Sequence, residues 1–137
     1  MDSIAILEKL VAFPTVSRDS NLGLISYVAE VLEEHGIAYE LIHDAAGGKA
    51  NLFATVGPKD RPGVMLSGHT DVVPVKGQAW TMPPFALTQH DGRLYGRGTA
   101  DMKGFVACAL RAMVMAARQP LKVPLHLALS YDEEVGC

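Results

Sequence analysis

Three clusters of histidine and acidic residues have the types and positions that chemistry requires. They are His69 and Asp71 in SGHTDVVP, Asp101 in GRGTADMKG, and Asp132, Glu133 and Glu134 in SYDEEVGC. The first and third clusters follow apolar runs, and the second follows a glycine-rich stretch. Ionisable side chains at the mouth of a buried strand are costly unless a ligand or partner compensates them. The three clusters are therefore candidates for one functional site.

A divalent metal ion accounts well for one histidine together with several carboxylates. Imidazole and carboxylate groups bind zinc in catalytic sites, and a carboxylate outside the metal shell can take the proton of a water nucleophile. Each cluster alone also has an ordinary interpretation. The spacing of His69 and Asp71 is common, Asp101 suits a helix N-cap, and an acidic run usually forms a solvated turn. The combination favours a metal site.

Periodicity and turn residues predict the elements that must position these clusters. We predict helices at residues 3–13, 21–35 and 102–118, and strands at residues 38–42, 51–56, 64–67, 94–96 and 124–131. Ser3 and Asn21 are the predicted helix N-caps, and Gly36 is a predicted left-handed helix stop. Intermixed helices and strands indicate an α/β domain, in which ligands bind at the carboxyl ends of strands. Segments far apart in sequence can therefore converge there.

Composition and charge exclude several classes of partner. The net charge is −3 and no segment is rich in lysine or arginine, so we expect neither nucleic acid nor an anionic membrane as a partner. No apolar stretch reaches the ~18 residues of a membrane span, and the start lacks a signal-peptide pattern. Cys108 and Cys137 form no disulfide framework, which fits a cytoplasmic protein, and Cys108 is predicted to be buried. The chain ends just after the third cluster, and we expect a fragment of a longer protein.

The segments SGHTDVVP, LYGRGTADMKG and LSYDEEVGC resemble the motifs of the dinuclear-zinc metallopeptidase/deacylase family. That family includes deacetylases, desuccinylases, carboxypeptidases and aminoacylases, and the resemblance extends over essentially the whole chain. It implies a three-layer α/β/α, zinc-peptidase-like catalytic domain. Residues 1–137 would be its N-terminal part, and the remaining catalytic segment and a dimerisation domain would lie beyond Cys137.

The resemblance also implies a role for each matching residue. His69 would bind one metal ion, and the carboxylate of Asp71 would orient its ring by a hydrogen bond to the other nitrogen. Asp101 would bridge two metal ions, and Glu134 would bind the second ion. Glu133 would be the general base, so that Glu133 and Asp71 are the predicted catalytic residues. A cis peptide bond is expected after the bridging residue, between Asp101 and Met102.

The implied cofactor is a pair of Zn²⁺ (or Co²⁺) ions in the intact enzyme, with three of five expected protein ligands inside this chain. We expect the 137-residue chain alone to bind metal weakly or not at all and to be inactive. The implied reaction is hydrolysis of the N-acetyl amide of acetylornithine by a homodimer. The alternatives are a desuccinylase, another N-acyl-amino-acid hydrolase or carboxypeptidase, and, from another class, a non-catalytic binding scaffold.

Overall fold

The computed structural model describes residues 2–136, which form helices packed on a mixed β-sheet. The elements are α1 (Ser3–Ala12), α2 (Leu22–Glu34), β1 (Tyr39–His43), β2 (Ala50–Val56), β3 (Val64–His69), β4 (Thr88–His90), β5 (Arg93–Tyr95), α3 (Lys103–Ala116), β6 (Leu125–Ser130) and a 3₁₀ turn at Glu133–Val135. The sequence predicted each helix and five of the six strands, and it missed β4, which pairs with β5 in a small hairpin. No helix within residues 2–136 is long and apolar enough to cross a membrane.

The main sheet brings two strand ends together. Its strand order is β1-β2-β6-β3, with β2 antiparallel to β1 and β6, and β3 parallel to β6. In the β3–β6 register, His69 lies opposite Ser130, the last residue of β6. Parallel neighbours end at the same edge of a sheet. The chain that leaves β3 and the chain that leaves β6 therefore begin side by side.

The three helices pack on one face of this sheet. Strand β2 shows the alternation that this requires: Ala50, Leu52 and Ala54 are buried, and the residues between them are half-buried. Side chains from all three helices join these residues and the β6 residues Leu127 and Leu129 in a single apolar core. The α/β class is confirmed. Residues 2–136 supply two of the three expected layers, a sheet and the helices on one of its faces.

Two helix starts differ in detail from the prediction. The carboxylate of Asp2, rather than the hydroxyl of Ser3, caps α1 by accepting a hydrogen bond from the Ala5 amide at 2.8 Å. Asn21 stands at the N-cap position of α2, but its side chain makes no capping bond there. The Asn21 side chain instead makes hydrogen bonds to residues outside the helix. Gly36 does end α2, and its φ of 66° is the left-handed conformation that was predicted.

The prediction that Cys108 is buried is wrong. The buried stripe of α3 contains Lys103, Val106, Ala107, Ala109, Leu110 and Met113, which is the spacing of one helix face. Cys108 lies outside this stripe and is exposed. An apolar run therefore identified the helix without identifying the face that it buries.

Asn21 links the start of α2 to β2 and to the end of β3. Its side-chain amide donates to the carbonyl of Ala50 at 2.8 Å and to the hydroxyl of Thr70 at 3.0 Å, and its oxygen accepts from the Ala50 amide at 3.0 Å. Asn21, Ala50 and Thr70 are all buried. Both main-chain groups of Ala50 thus bind the same side chain.

Replacement of Asn21 by alanine should destabilise the domain by about 2–4 kcal/mol, because two buried main-chain groups lose their partner. The neighbouring Ser20→Ala is the control, since the Ser20 hydroxyl is exposed and accepts one bond, from the Leu22 amide at 3.2 Å. Urea unfolding of both variants measures the difference. Equal free energies of unfolding for the two variants would contradict this account.

Candidate metal centre

The edge where β3 and β6 end gathers the histidine and carboxylates of all three sequence clusters. Nε2 of His69 lies 3.0 Å from Oδ1 of Asp101 and 3.6 Å from Oε2 of Glu133. Ligand atoms of His69, Glu133 and Glu134 all lie within 4.8 Å of one another. One imidazole nitrogen and several carboxylate oxygens at this separation are a donor set that suits zinc. The donors present therefore fit the metal that the sequence predicted.

The tautomer of His69 follows from its main-chain partner. Nδ1 lies 2.9 Å from the carbonyl oxygen of Asp71, and a carbonyl oxygen can only accept a hydrogen bond. Nδ1 therefore carries a hydrogen, and Nε2 is the nitrogen available to a metal. The His69 side chain is 5% exposed, so the ring is held in this orientation by its surroundings.

The Asp71 carboxylate makes its closest contacts with groups other than His69. Its Oδ1 lies 3.5 Å from Nδ1 of His69, farther than the Asp71 carbonyl oxygen, so the main chain makes the closer contact. The carboxylate accepts instead from the Ser17 hydroxyl at 2.5 Å and from the amides of Glu133 and Glu134, both at 3.2 Å. Asp71 thus contacts the histidine ring through its main chain, and its side chain binds the 3₁₀ turn at Glu133–Val135, here called the glutamate turn. Ser17 was not predicted as a site residue, because it belongs to none of the three motifs.

The chain turns sharply after β6, and this turn directs both glutamates to the site. Adjacent residues of an extended strand point to opposite faces. Here Asp132 adopts the left-handed conformation, with φ of 62°, and Glu133–Val135 form a 3₁₀ turn. Glu133 and Glu134 can therefore both approach His69, as a shared metal site requires.

The carboxylates and the histidine perturb one another. Burial lowers the pKa of His69, but the Asp101 carboxylate, the Asp71 carbonyl and the negative charges of Asp71 and Glu133 together raise it above its usual value. Burial and then the charge of Asp101 raise the pKa of Glu134, against the opposing effect of His69. The negative charge of these carboxylates contributes to the upward shift of both pKa values, and the same charge favours a bound cation.

Asp101 reaches the site from a tight loop before α3. The peptide bond between Asp101 and Met102 is cis, as expected, and Sδ of Met102 accepts from the His69 amide at 3.3 Å. Gly98, with φ of 84°, allows the close approach, because a Cβ there would lie 2.9 Å from a methyl group of Val72. The Asp101 side chain is 75% exposed, which leaves its second oxygen open to a further ligand.

Lys103, the first residue of α3, is buried directly after this loop, and its burial was not predicted from the sequence. The whole residue is inaccessible to solvent, and Nζ donates to the carbonyl of Phe13 at 2.6 Å, which joins the Asp101 loop to the end of α1. Burial lowers the pKa of Lys103 to about 7. A lysine at the start of an amphipathic helix is normally exposed, so its position gave no signal of burial.

Comparison with known proteins identifies the family. Residues 65–137, more than half of the chain, match peptidase family M20/M25/M40. The chain belongs to this family. The match contains all three clusters, so the M20 relationship rests on the segments that form the site.

Three solved structures share this fold. Human carnosine dipeptidase 1 superimposes with a TM-score of 0.82 at 26% identity, over 98% of this chain and 32% of that chain. An M20 family metallo-carboxypeptidase from Sulfolobus solfataricus superimposes with a TM-score of 0.84 at 25% identity, over 99% of this chain and 32% of that chain. A tripeptidase from Staphylococcus aureus shares the fold at 20% identity, with a TM-score of 0.72 over 98% of this chain and 37% of that chain.

This M20 chain spans about a third of the length of those structures. M20 proteins are zinc-dependent hydrolases, which agrees with the imidazole and carboxylate donors found here. The fold and the membership of a metallopeptidase family are thus established for this chain.

The predicted roles of the two adjacent glutamates can be separated by substituting each one alone. Glu133→Gln should lower turnover by about 10²–10⁴-fold and leave zinc content unchanged, because an amide cannot accept a proton from water. Glu134→Gln should lower zinc content itself. Metal analysis and an activity assay measure both, with the exposed Glu8→Gln of α1 as control. Loss of zinc in Glu133→Gln would make Glu133 a metal ligand rather than the base.

Lys103 should make the stability of the metal-free protein depend on pH. Its pKa is about 7 when folded and 10.5 when unfolded, so between these values the unfolded chain binds one more proton. Stability should therefore rise with pH in this window, by up to about 1.4 kcal/mol per unit, and Lys103→Met should lack this rise. Urea unfolding at pH 7 and 9 in a chelator tests it, with exposed Lys122→Met as control. Parallel pH profiles for wild type and Lys103→Met would contradict the assignment.

Proposed function

We propose that this chain is the N-terminal part of the catalytic domain of a dinuclear-zinc amide hydrolase. The observation that carries the proposal is the convergence of His69, Asp101, Glu133 and Glu134 at one sheet edge, with Nε2 of His69 3.0 Å from Asp101 and 3.6 Å from Glu133. His69 and the bridging Asp101 would hold one ion, and Glu134 with the same Asp101 would hold the other.

The site residues then divide the work of amide hydrolysis. Bound zinc would polarise the substrate carbonyl and acidify a water molecule. Glu133, whose side chain is 53% exposed, would take the proton from that water and return it to the leaving amine. Asp71 would hold His69 and the glutamate turn in place. The retained base distinguishes this proposal from a binding scaffold, which needs no proton acceptor.

The proposed substrate is the N-acetyl amide of acetylornithine, which would give ornithine and acetate. This makes the full-length protein an acetylornithine deacetylase of arginine biosynthesis, cytoplasmic and homodimeric. The support is the resemblance of the segments WTMPPFALTQHDGRLYGRGTADMKGF and SYDEEVGC. A desuccinylase or another N-acyl-amino-acid hydrolase shares most of these residues and remains the alternative within that class.

A dipeptidase or carboxypeptidase is the second candidate. Human carnosine dipeptidase 1 and the Sulfolobus solfataricus metallo-carboxypeptidase are 26% and 25% identical to this chain over nearly all of it. Cleavage of a peptide bond and removal of an acetyl group are both amide hydrolysis, so the same metal site serves either. The difference lies in substrate recognition.

A substrate panel decides between these candidates. The zinc-loaded full-length protein should hydrolyse acetylornithine with a higher kcat/KM than N-succinyl amino acids, dipeptides or N-terminally blocked peptides that have a free C-terminus. The 137-residue chain alone should show no turnover and weak zinc binding, since it offers each ion two protein ligands where catalytic zinc takes about three. Preference for dipeptides would establish the second candidate, and no hydrolysis of any amide would indicate a scaffold.

A further inference from the structure

Lys49 is a partly buried lysine that none of the roles above uses. Its side chain is 18% exposed, and Nζ donates to the carbonyl of Ser17 and to Oδ1 of Asp132, each at 2.5 Å. The ring of Tyr131 lies 5.7 Å from Nζ. A surface lysine normally keeps its ammonium group in water. This one instead contacts two segments that are distant from it in sequence, the loop after α1 and the turn after β6.

The partner of Lys49 is the residue that sets the direction of the glutamate turn. Asp132 has a φ of 62° and immediately precedes Glu133 and Glu134. The left-handed conformation is costly for residues with a Cβ and is least so for asparagine and aspartate. An ion pair to the Asp132 side chain fixes the residue at which the chain changes direction. The directions in which the side chains of Glu133 and Glu134 point depend on the path of the chain at Asp132.

The Asp71 carboxylate is a second group that binds the same turn. It accepts from the amides of Glu133 and Glu134 at 3.2 Å. Ser17 connects Asp71 with Lys49, because its hydroxyl donates to Asp71 and its carbonyl accepts from Lys49. The hydrogen bonds form a closed ring from Lys49 through Ser17, Asp71 and the glutamate turn back to Lys49.

We propose that Lys49 is a positioning residue of the zinc site, whose ion pair with Asp132 holds the turn that directs Glu133 and Glu134 toward His69. This inference rests on the zinc site of the proposed function. Charge alone predicts the opposite effect of Lys49, because an ammonium near the site repels a divalent cation. Removal of the ammonium should therefore tighten zinc binding if only charge matters, and weaken it if Lys49 positions the ligands.

The test measures zinc affinity of the full-length protein by competition with a chelator of known affinity. Lys49→Met, which keeps the length of the side chain, should weaken zinc binding about 10–100-fold, as loss of a group that orients metal ligands does. Lys49→Arg, which keeps the charge and both donors, should restore most of the affinity. Lys122→Met is the matched control, since Lys122 is exposed and precedes β6, at the opposite end of the strand from Asp132.

Thermal unfolding of each metal-free variant separates positioning from a merely structural role. A structural role would lower the Tm of metal-free Lys49→Met and leave the zinc affinity of the folded protein unchanged. Unchanged or tighter zinc binding by folded Lys49→Met overturns the proposal. Wild-type protein that binds no zinc would instead overturn the proposed function together with this inference.

A double-mutant cycle with Asp132→Asn tests the ion pair itself. Asparagine has the same shape and tolerates the left-handed conformation, so this variant should fold even if Lys49→Met does not. In the cycle, Lys49→Met should cost much less zinc affinity when Asp132→Asn is already present. Strictly additive effects, or native zinc affinity in Asp132→Asn, would overturn the proposal.

Discussion

The parallel pairing of β3 with β6 is the constraint on which the candidate metal centre depends. It places His69 opposite Ser130, so the histidine and the following glutamate turn emerge at one edge of the sheet. The pairing itself depends on the buried face of the sheet, where Leu127 and Leu129 meet the apolar sides of the helices. A slip of one residue would turn the side chains of a strand to the opposite face. The core therefore fixes the register, and the register fixes the site.

Accumulated negative charge at this edge connects the fold to its chemistry. Folding brings Asp101, Glu133 and Glu134 around one imidazole. Burial and then the charge of Asp101 raise the pKa of Glu134, whereas burial lowers the pKa of His69 and its acceptors and acidic neighbours raise it above its usual value. Such an arrangement is unfavourable without a cation, and main-chain and side-chain donors offset part of that cost. The two glutamate amides and the Ser17 hydroxyl stabilise Asp71, and Lys49 stabilises Asp132. These donors hold the glutamate turn in place. A metal ion would compensate the negative charges of Asp101, Glu133 and Glu134.

Motif-bearing residues were the easiest part of the site to predict, and their supports were the hardest. The grouping of the three clusters was predicted, and the structure brings His69, Asp101 and the glutamates together. Lys49 and Lys103 were missed, because lysines are ordinarily exposed and their burial depends on neighbours more than 80 residues away in sequence. Asn21 was predicted as a cap on local preference, but its side chain satisfies the main chain of Ala50 instead.

The sequence by itself determined the helices, most of the strands, the family and the donor types, because periodicity, turn residues and motifs are local properties of the chain. Tertiary structure decided which atom performs each task. The main-chain carbonyl of Asp71 contacts His69 more closely than the side-chain carboxylate of Asp71 does. The turn after β6 presents two amides to that carboxylate, which accepts hydrogen bonds from both. Likewise, the left-handed Asp132 lets adjacent glutamates face one site. Such choices depend on distances between remote segments, which only the packed sheet and helices define.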